Sequence, residues 1–290
     1  MLKKYIGPIC LASAAIIWGG MYVVSKVVLT VIPPLELVWL RYIVALVSLV
    51  TMSAVTHQSW RIQRKHLPLI LAIGVIGYVI SIWTQFVGTK LSSAQMGAMI
   101  TSATPAFMVI FAGLLLKEKI TFRKGLSTFL ATIGVLCIVG IGDLGKAYQL
   151  GGIVLGIAAL SWALMSVLIK RIPSNYSQLV VTTYAIFIAT VIITPFVVSQ
   201  IDRDQIHTLL QPAIFSGILY LGVVSTAVAF FLWNKGLQMV DAARGGLYFF
   251  FQPMAGTLLG WFFLGEHVGM LFWIGSVLIL SGVLLVVKQT

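Results

Sequence analysis

The strongest constraint on this chain is a series of apolar runs that recur along its whole length. A helix needs about 20 mostly apolar residues to cross the hydrocarbon core of a membrane. Runs of that kind lie at residues 5–25, 35–54, 67–88, 92–116, 122–141, 150–169, 178–199, 210–233, 243–264 and 268–287. They are continuous rather than alternating, which indicates helices and not the strands of a membrane barrel. The sequence therefore predicts an all-α polytopic membrane protein with ten transmembrane helices.

Composition agrees with a membrane environment. Hydrophobic residues make up 60% of the chain and charged residues only 9%, whereas soluble domains carry about 25% charged residues. One globular core cannot hide that much apolar surface, so the lipid bilayer must cover much of it. We expect a multi-pass protein of the cell membrane, plasma or inner, without a soluble domain.

Positive charge predicts which side of the membrane each loop faces. The net charge of +12 would suit a nucleic-acid-binding protein, but the positions of the charges point elsewhere. When the N-terminus is placed in the cytoplasm and the helices alternate, fourteen of the 19 Lys and Arg residues fall on the cytoplasmic side. Cytoplasmic loops of membrane proteins carry this excess. The distribution predicts cytoplasmic termini, basic cytoplasmic loops at residues 55–66 and 117–124, and no nucleic-acid partner.

An internal repeat relates the two halves of the chain. The segment PAFMVIFAGLLLKEK, starting at Pro105, aligns with PMAGTLLGWFFLGEH, starting at Pro253, at an offset of 148 residues. Near the N-terminus the offset is 144, and it pairs Trp18 with Trp162. Each half then holds five helices, an odd number, so the halves insert with opposite topology. We predict two inverted five-helix repeats, residues 1–145 and 146–290, within one membrane domain.

The same repeat pairs Glu118 with Glu266, two of only 7 acidic residues. Both lie in a short turn between the fourth and fifth helices of a half, at the membrane edge. An acidic residue there can complement the dipole of the following helix and accept its backbone N–H bonds, and this is the role we expect. The alternative is proton coupling, for which a carboxylate deeper in the bundle is the usual arrangement.

Three motifs connect the chain with a known family. They are Ile17-Trp18-Gly19-Gly20 in the first helix, Arg41 early in the second, and a proline followed by a terminal Lys-Glu or Gly-Glu in the fourth and ninth. With them the chain resembles the EamA-type ten-helix members of the drug/metabolite transporter superfamily. The second half departs from the pattern, because Ala163-Leu164 follows Trp162 and no arginine corresponds to Arg41.

The resemblance implies both an architecture and an activity. Helices one, three, four, six, eight and nine would surround a central cavity, with helices five and ten outside it. Members of the family are typically exporters or exchangers of amino acids and other small metabolites.

Polar and aromatic side chains that share a helical face mark the expected binding site. The candidate substrate-binding residues are Trp18, Tyr22, Tyr78, Ser81, Gln85, Thr104, Trp162, Ser166, Thr226, Tyr248 and Gln252. A structural alternative stands beside each of them. Hydroxyl groups in membrane helices often bond to their own backbone, and aromatic rings near helix ends usually belong to the membrane interface.

The centres of the predicted helices carry no Asp, Glu, Lys, Arg or His. The first-helix stretch AAIIWGG also lacks the glutamate with which small multidrug exporters, distant relatives in the superfamily, couple drug to proton. These features predict a neutral, zwitterionic or aromatic substrate and transport without an obligatory proton. Arg41 is expected towards the outer face, either paired with Glu36 or bound to a carboxylate in an outer vestibule.

The predicted function is secondary transport, as an exporter or exchanger of amino acids or similar small amphipathic metabolites, by alternating access. The alternative is a flippase for a lipid head group or a lipid carrier. A passive channel comes third, because no continuous polar stripe runs along the helices. Catalysis is not expected, since the histidines lie in loops or at helix ends and no zinc-type spacing or phosphate loop occurs. No metal or cofactor is expected, and a monomer is compatible with the sequence.

Overall fold

The computed structural model describes residues 3–117, 121–139, 145–173, 175–200, 207, 209–239, 248–249, 251–266 and 269–287. Within those ranges the chain forms helices and connecting turns, and no strand. The uninterrupted helices are α1 (Lys3–Val28), α2 (Pro34–Val55), α5 (Phe122–Val139), α6 (Lys146–Ile169), α7 (Gln178–Val198), α9 (Phe251–Leu264) and α10 (Met270–Val287).

Three further helices are composite. A short 3₁₀ turn, Arg64–His66, leads into α3, whose consecutive pieces are Leu67–Ile73, Gly74–Ser81 and Ile82–Leu91. Helix α4 has the pieces Ala94–Thr101 and Thr104–Leu116. Helix α8 has the pieces Pro212–Leu219, Tyr220–Val228 and Ala229–Met239.

Length and hydropathy make the chain a multi-pass membrane protein. Seven of the described helices, α1 to α4 and α6 to α8, are long and apolar enough to cross a membrane. Helix α9 has only 14 described residues, and α5 and α10 have 18 each. Ten crossings and cytoplasmic termini therefore stay predictions from the sequence.

Several helix boundaries carry residues that favour the start or the end of a helix. Proline stands in the first turn of α2 and α8, where its missing N–H costs nothing. Left-handed backbone follows the last residues of α4 and α9, at Lys117 (φ 57°) and Gly265 (φ 63°). These two positions are 148 residues apart, so both halves end their fourth helix with the same backbone conformation.

The middle pieces of α3 and α8 are π helices, Gly74–Ser81 and Tyr220–Val228. At the repeat offset of 148 residues, Gly74 of the first segment aligns with Gly222 of the second. A Cβ at Gly74 would lie 2.9 Å from the Ala185 carbonyl of α7, and one at Gly222 would lie 2.9 Å from the Arg41 carbonyl of α2. Each glycine therefore lets its π segment approach a neighbouring helix closely. Such segments are rare and occur frequently at functional sites.

Helices α5 and α10 pack on each other at one side of the bundle. A Cβ at Gly134 of α5 would lie 2.6 Å from the Gly275 carbonyl of α10, so the two backbones are in direct contact. Small residues allow this kind of approach between membrane helices. The described residues of α5 and α10 contribute nothing to the cavity lining given below.

Candidate functional site

A cavity of about 40 Å³ lies where seven helices meet. Its lining comes from α1, α2, α3, α4, α6, α8 and α9, with one residue just before α9. The lining residues are Trp18, Met21, Arg41, Ser81, Ile82, Gln85, Thr101, Thr104, Ala158, Trp162, Phe230, Phe249 and Gln252. These are the six helices that the family resemblance implied, together with α2. Pockets for small ligands measure about 300–1,000 Å³, so the cavity in this conformation has room for only a few water molecules.

Aromatic rings form one wall of the cavity. This aromatic cluster consists of Trp18, Tyr78, Trp162, Phe230, Trp233 and Phe249. Trp18 is its centre, with ring centroids 5.6 Å from Phe230 and 6.5 Å from Trp162. The indole N–H of Trp18 donates to the Ser225 carbonyl at 3.1 Å, which fixes the ring against the π segment of α8. Each favourable ring pair adds about 0.5–1.5 kcal/mol beyond the burial of its area.

Amide and hydroxyl groups also line the cavity. Thr101 donates to the Gly97 carbonyl at 2.7 Å, one turn back on α4. Its oxygen lies 2.6 Å from the Tyr22 hydroxyl and accepts from Gln252 Nε2 at 2.8 Å. Gln85 Nε2 donates in turn to the Tyr22 hydroxyl. This amide network joins α1, α3, α4 and α9 at the edge of the cavity.

Arg41 brings a positive charge to the same cavity and is only 1% exposed. Its Nε donates to Thr226 Oγ1 at 2.6 Å, while Nη1 and Nη2 lie 3.5 Å from Met21 Sδ and Ser225 Oγ. All three partners are neutral. The π segment of α8 provides the threonine, whose hydroxyl donates to Leu221 O five residues back at 2.7 Å.

The surroundings of Arg41 correct one expectation from the sequence. Its described hydrogen-bond partners are Met21, Ser225 and Thr226 and not Glu36, and the arginine lines the central cavity. Its position seven residues into α2 corresponds to about 10 Å along the helix. A lone arginine inside an apolar run was the signal in the sequence that could have located it.

A second cavity, the vestibule, measures about 540 Å³. It lies at the end of the bundle where α2 ends and α7 begins, an end that the sequence predicts to be cytoplasmic. Its lining includes Thr56, Gln58 and Tyr176 from the two connections and Lys235 from α8. Phe230 lines both cavities and therefore lies between the vestibule and the central cavity.

The opposite end of the bundle is held together by Glu266. Its carboxylate accepts the backbone N–H groups of Ala94 at 2.8 Å and Gln95 at 3.0 Å, at the start of α4. The Gln95 side chain donates to the carbonyls of Thr257 and Glu266, both at 3.2 Å. Glu266 is thus a cap, as expected, but the described N–H groups that it accepts belong to α4, whereas the sequence assigned it to the following helix. Its repeat partner Glu118 lies outside the described residues.

Lys26 reinforces the same end. Its Nζ donates to the carbonyls of Thr89 at 2.9 Å, Lys90 at 3.0 Å and Ser92, which terminate α3. A cation thus binds the carbonyl end of α3 and an anion binds the N–H end of α4, in agreement with both helix dipoles. We call Lys26, Gln95 and Glu266, with the turn that they hold, the latch.

The predicted substrate residues divide into three groups. Those that line the cavity are Trp18, Ser81, Gln85, Thr104, Trp162 and Gln252. Those that stand directly behind it are Tyr22 in the amide network, Tyr78 in the aromatic cluster and Thr226 against Arg41.

The two remaining predicted residues do not reach the cavity. Ser166 donates to the Trp162 carbonyl of its own helix at 2.8 Å. Tyr248 stacks on Phe251 with ring centroids 6.3 Å apart. Besides Arg41, the candidate set omitted Thr101, Phe230 and Phe249, together with the lining residues Met21, Ile82 and Ala158. Nothing in the sequence separates the two phenylalanines from lipid-facing ones.

Comparison with known proteins places the chain in a family. The EamA-like transporter family matches residues 5–140 and again residues 149–288. A "Probable amino-acid metabolite efflux pump" of Escherichia coli (strain K12) is 27% identical over 92% of this chain and 90% of that protein. An "Uncharacterized transporter" of Archaeoglobus fulgidus is 25% identical over 99% of this chain and 100% of that protein. A solved crystal structure has a TM-score of 0.66 at 17% identity, covering 100% of this chain and 98% of that one, which concerns the fold alone.

Proposed function

Because the chain belongs to the EamA-like transporter family, we propose that it carries amino acids or similar small amphipathic metabolites across the cell membrane. It acts as an exporter or exchanger, and the halves 1–145 and 146–290 provide alternating access. The relative named as an amino-acid metabolite efflux pump supports this substrate class.

The observation that carries the proposal is the arrangement of the central cavity. Aromatic rings in its lining suit an apolar side chain, and amide and hydroxyl groups in the same lining suit a polar end. Helices from both proposed halves contribute to it, as inverted repeats require of a shared central site. The cavity thus has the amphipathic character of the substrates that we propose.

The two ends of the bundle differ in a way that supports alternating access. The latch holds α3, α4 and α9 together at one end, while the vestibule opens at the other. We assign this structure to a state that faces the vestibule, with the Phe230 ring closed over the site. Substrate enters or leaves when that ring turns aside and the central cavity, now about 40 Å³, joins the vestibule.

Counterflow in liposomes tests the proposal. Purified protein in vesicles loaded with a mixture of amino acids should accumulate labelled external amino acid without an imposed proton gradient. Trp162→Ala should slow this exchange by up to about tenfold, because a favourable contact between two aromatic rings contributes about 0.5–1.5 kcal/mol. Trp273→Ala is the matched control, since this tryptophan lies on α10 and is 54% exposed.

The same vesicles distinguish the alternatives. Movement of labelled phospholipid between leaflets, without amino-acid exchange, would replace the proposal with the flippase. Equal exchange by the Trp162→Ala and wild-type proteins would remove the central cavity from the transport path.

A further inference from the structure

We infer that the central cavity is a site for a zwitterion: Arg41 binds the carboxylate of the substrate, and Gln85 Oε1 accepts a hydrogen bond from its ammonium group. The inference rests on the proposed function and adds to it the chemical class and the orientation of the substrate.

Arg41 provides the positive charge of the site. A guanidinium has five N–H donors in a fixed fork, and only the Nε donor has a short bond here, to Thr226 at 2.6 Å. Among the described residues, the two terminal nitrogens have longer contacts, both of 3.5 Å, with sulfur and hydroxyl groups, and the guanidinium carbon lies 5.4 Å from the centroid of the Phe86 ring. Burying a charge is costly unless an opposite charge compensates it, and the described cavity lining includes no carboxylate. A substrate carboxylate supplies that charge and fits the fork of the arginine.

The amide network determines the orientation of the Gln85 amide. Thr101 uses its only proton on the Gly97 carbonyl, so its oxygen must accept from Tyr22 and from Gln252. The Tyr22 hydroxyl has then used its own proton and must accept from Gln85 Nε2. The chain of donors therefore fixes which end of the Gln85 amide is nitrogen.

The other end of that amide is left without a donor. Gln85 Oε1 is buried, and within the described part of the chain no group donates to it. A buried acceptor of this kind costs about 1–3 kcal/mol while it stays unsatisfied. Gln85 lines the same cavity as Arg41. An ammonium group in the cavity would satisfy this acceptor.

Arg41 and Gln85 Oε1 together give the bound substrate one orientation. The carboxylate lies against α2 and α8, the ammonium group lies against α3, and the remaining side chain faces the aromatic cluster and Phe230. A compound with an ammonium group alone would leave Arg41 without an opposite charge. A carboxylic acid alone would leave Gln85 Oε1 without a donor.

Binding of four related compounds to the purified protein tests the inference. L-Phenylalanine carries both charged groups, 2-phenylethylamine lacks the carboxylate, 3-phenylpropanoate lacks the ammonium group, and 2-phenylethanol lacks both. The wild-type protein should bind L-phenylalanine at least tenfold more tightly than any of the other three. Phosphoethanolamine, as a zwitterion of the lipid head-group type, is the fifth probe and should bind more weakly.

Variants then assign each preference to a residue. Arg41→Gln should remove the preference for L-phenylalanine over the amine, and Gln85→Leu should remove its preference over the acid. Arg61→Gln, at an exposed arginine in the connection before α3, is the matched control for the loss of charge. Arg41→Gln should not markedly lower the melting temperature of the ligand-free protein, because it removes a buried charge that no carboxylate of the described cavity lining compensates.

The outcomes separate this inference from the proposed function. Equal binding of amine and amino acid, tighter binding of phosphoethanolamine, or no binding of any probe would overturn the zwitterion site. So would a preference that survives in Arg41→Gln, or a marked fall in its melting temperature. Exchange of another metabolite in the vesicle assay would still uphold the transport function, whereas the absence of any exchange would remove it.

Discussion

Substitution Glu266→Ala removes the carboxylate that joins α9 to the first turn of α4. Two backbone N–H groups, those of Ala94 and Gln95, then lose their acceptor. Loss of a helix cap costs about 0.5–2 kcal/mol, and loss of the negative charge at a helix N-terminus adds about 0.3–1 kcal/mol. The expected loss is therefore about 1–3 kcal/mol. If the latch opens during transport, this loss of free energy destabilises only the state in which the latch is closed.

A loss of that size translates into a measurable shift between conformations. It corresponds to about a 5- to 150-fold change in the equilibrium between the latched state and one open at that end. Thr257→Cys provides a reporter, because the Thr257 carbonyl accepts from the latch residue Gln95 and its side chain is partly buried. In a background without the two natural cysteines, an impermeant thiol reagent added from the latch side should label this position faster by that factor.

The controls for this experiment separate the latch from a general loss of stability. Lys90→Gln changes a charge at the same end of the bundle without touching the carboxylate, and it should leave the labelling rate unchanged. Glu266→Gln keeps one acceptor and should give an intermediate rate. Refutation would be an unchanged labelling rate in Glu266→Ala together with a lower melting temperature, which would make Glu266 a purely structural cap.

Three further predictions concern topology, access and packing. Cysteines at Gln58 and Lys146 should be labelled from opposite sides of intact cells, and labelling of both from outside would contradict the orientation derived from the basic loops. Phe230→Ala should join the central cavity to the vestibule and raise the labelling rate of Gln85→Cys from the vestibule side; an unchanged rate would mean that another group closes the site. Gly19→Ala should lower the melting temperature by an amount corresponding to about 1–3 kcal/mol, because the added Cβ would lie 2.6 Å from the Gln252 carbonyl. Normal stability in that variant would contradict the close contact between α1 and α9.

Patterns that depend on local sequence could be predicted well. Trp18, predicted as a substrate-binding residue, stands at the centre of the aromatic cluster, and its neighbour Gly19 lies where α1 meets α9. Gln85 and Gln252 are costly to bury in lipid, so their presence in apolar helices already indicated a polar interior. Both line the central cavity.

Features that depend on contacts between distant segments could not be predicted. Glu266 was assigned to the nearest helix along the chain, but the exposed N–H groups that it caps belong to residues 94 and 95, more than 170 residues earlier. The burial of Arg41 depends on Ser225 and Thr226 in another helix, and on the π segment that presents them. Phe230 was not predicted, because the sequence does not distinguish an aromatic ring that faces lipid from one that faces a cavity.

The π segments of α3 and α8 allow each helix to hold an extra residue without a change in its rotation about the helix axis. Each widened turn accommodates its extra residue locally, so the helix beyond it keeps the orientation that suits the cavity. Deleting one residue within Gly74–Ser81 would let α3 continue as an ordinary α-helix. Because the widened turn has absorbed the extra residue, the part of α3 beyond the deletion would keep its rotation about the helix axis, and Gln85 would stay at the cavity wall. The same deletion in an ordinary α-helix would turn the part beyond it by about 100°.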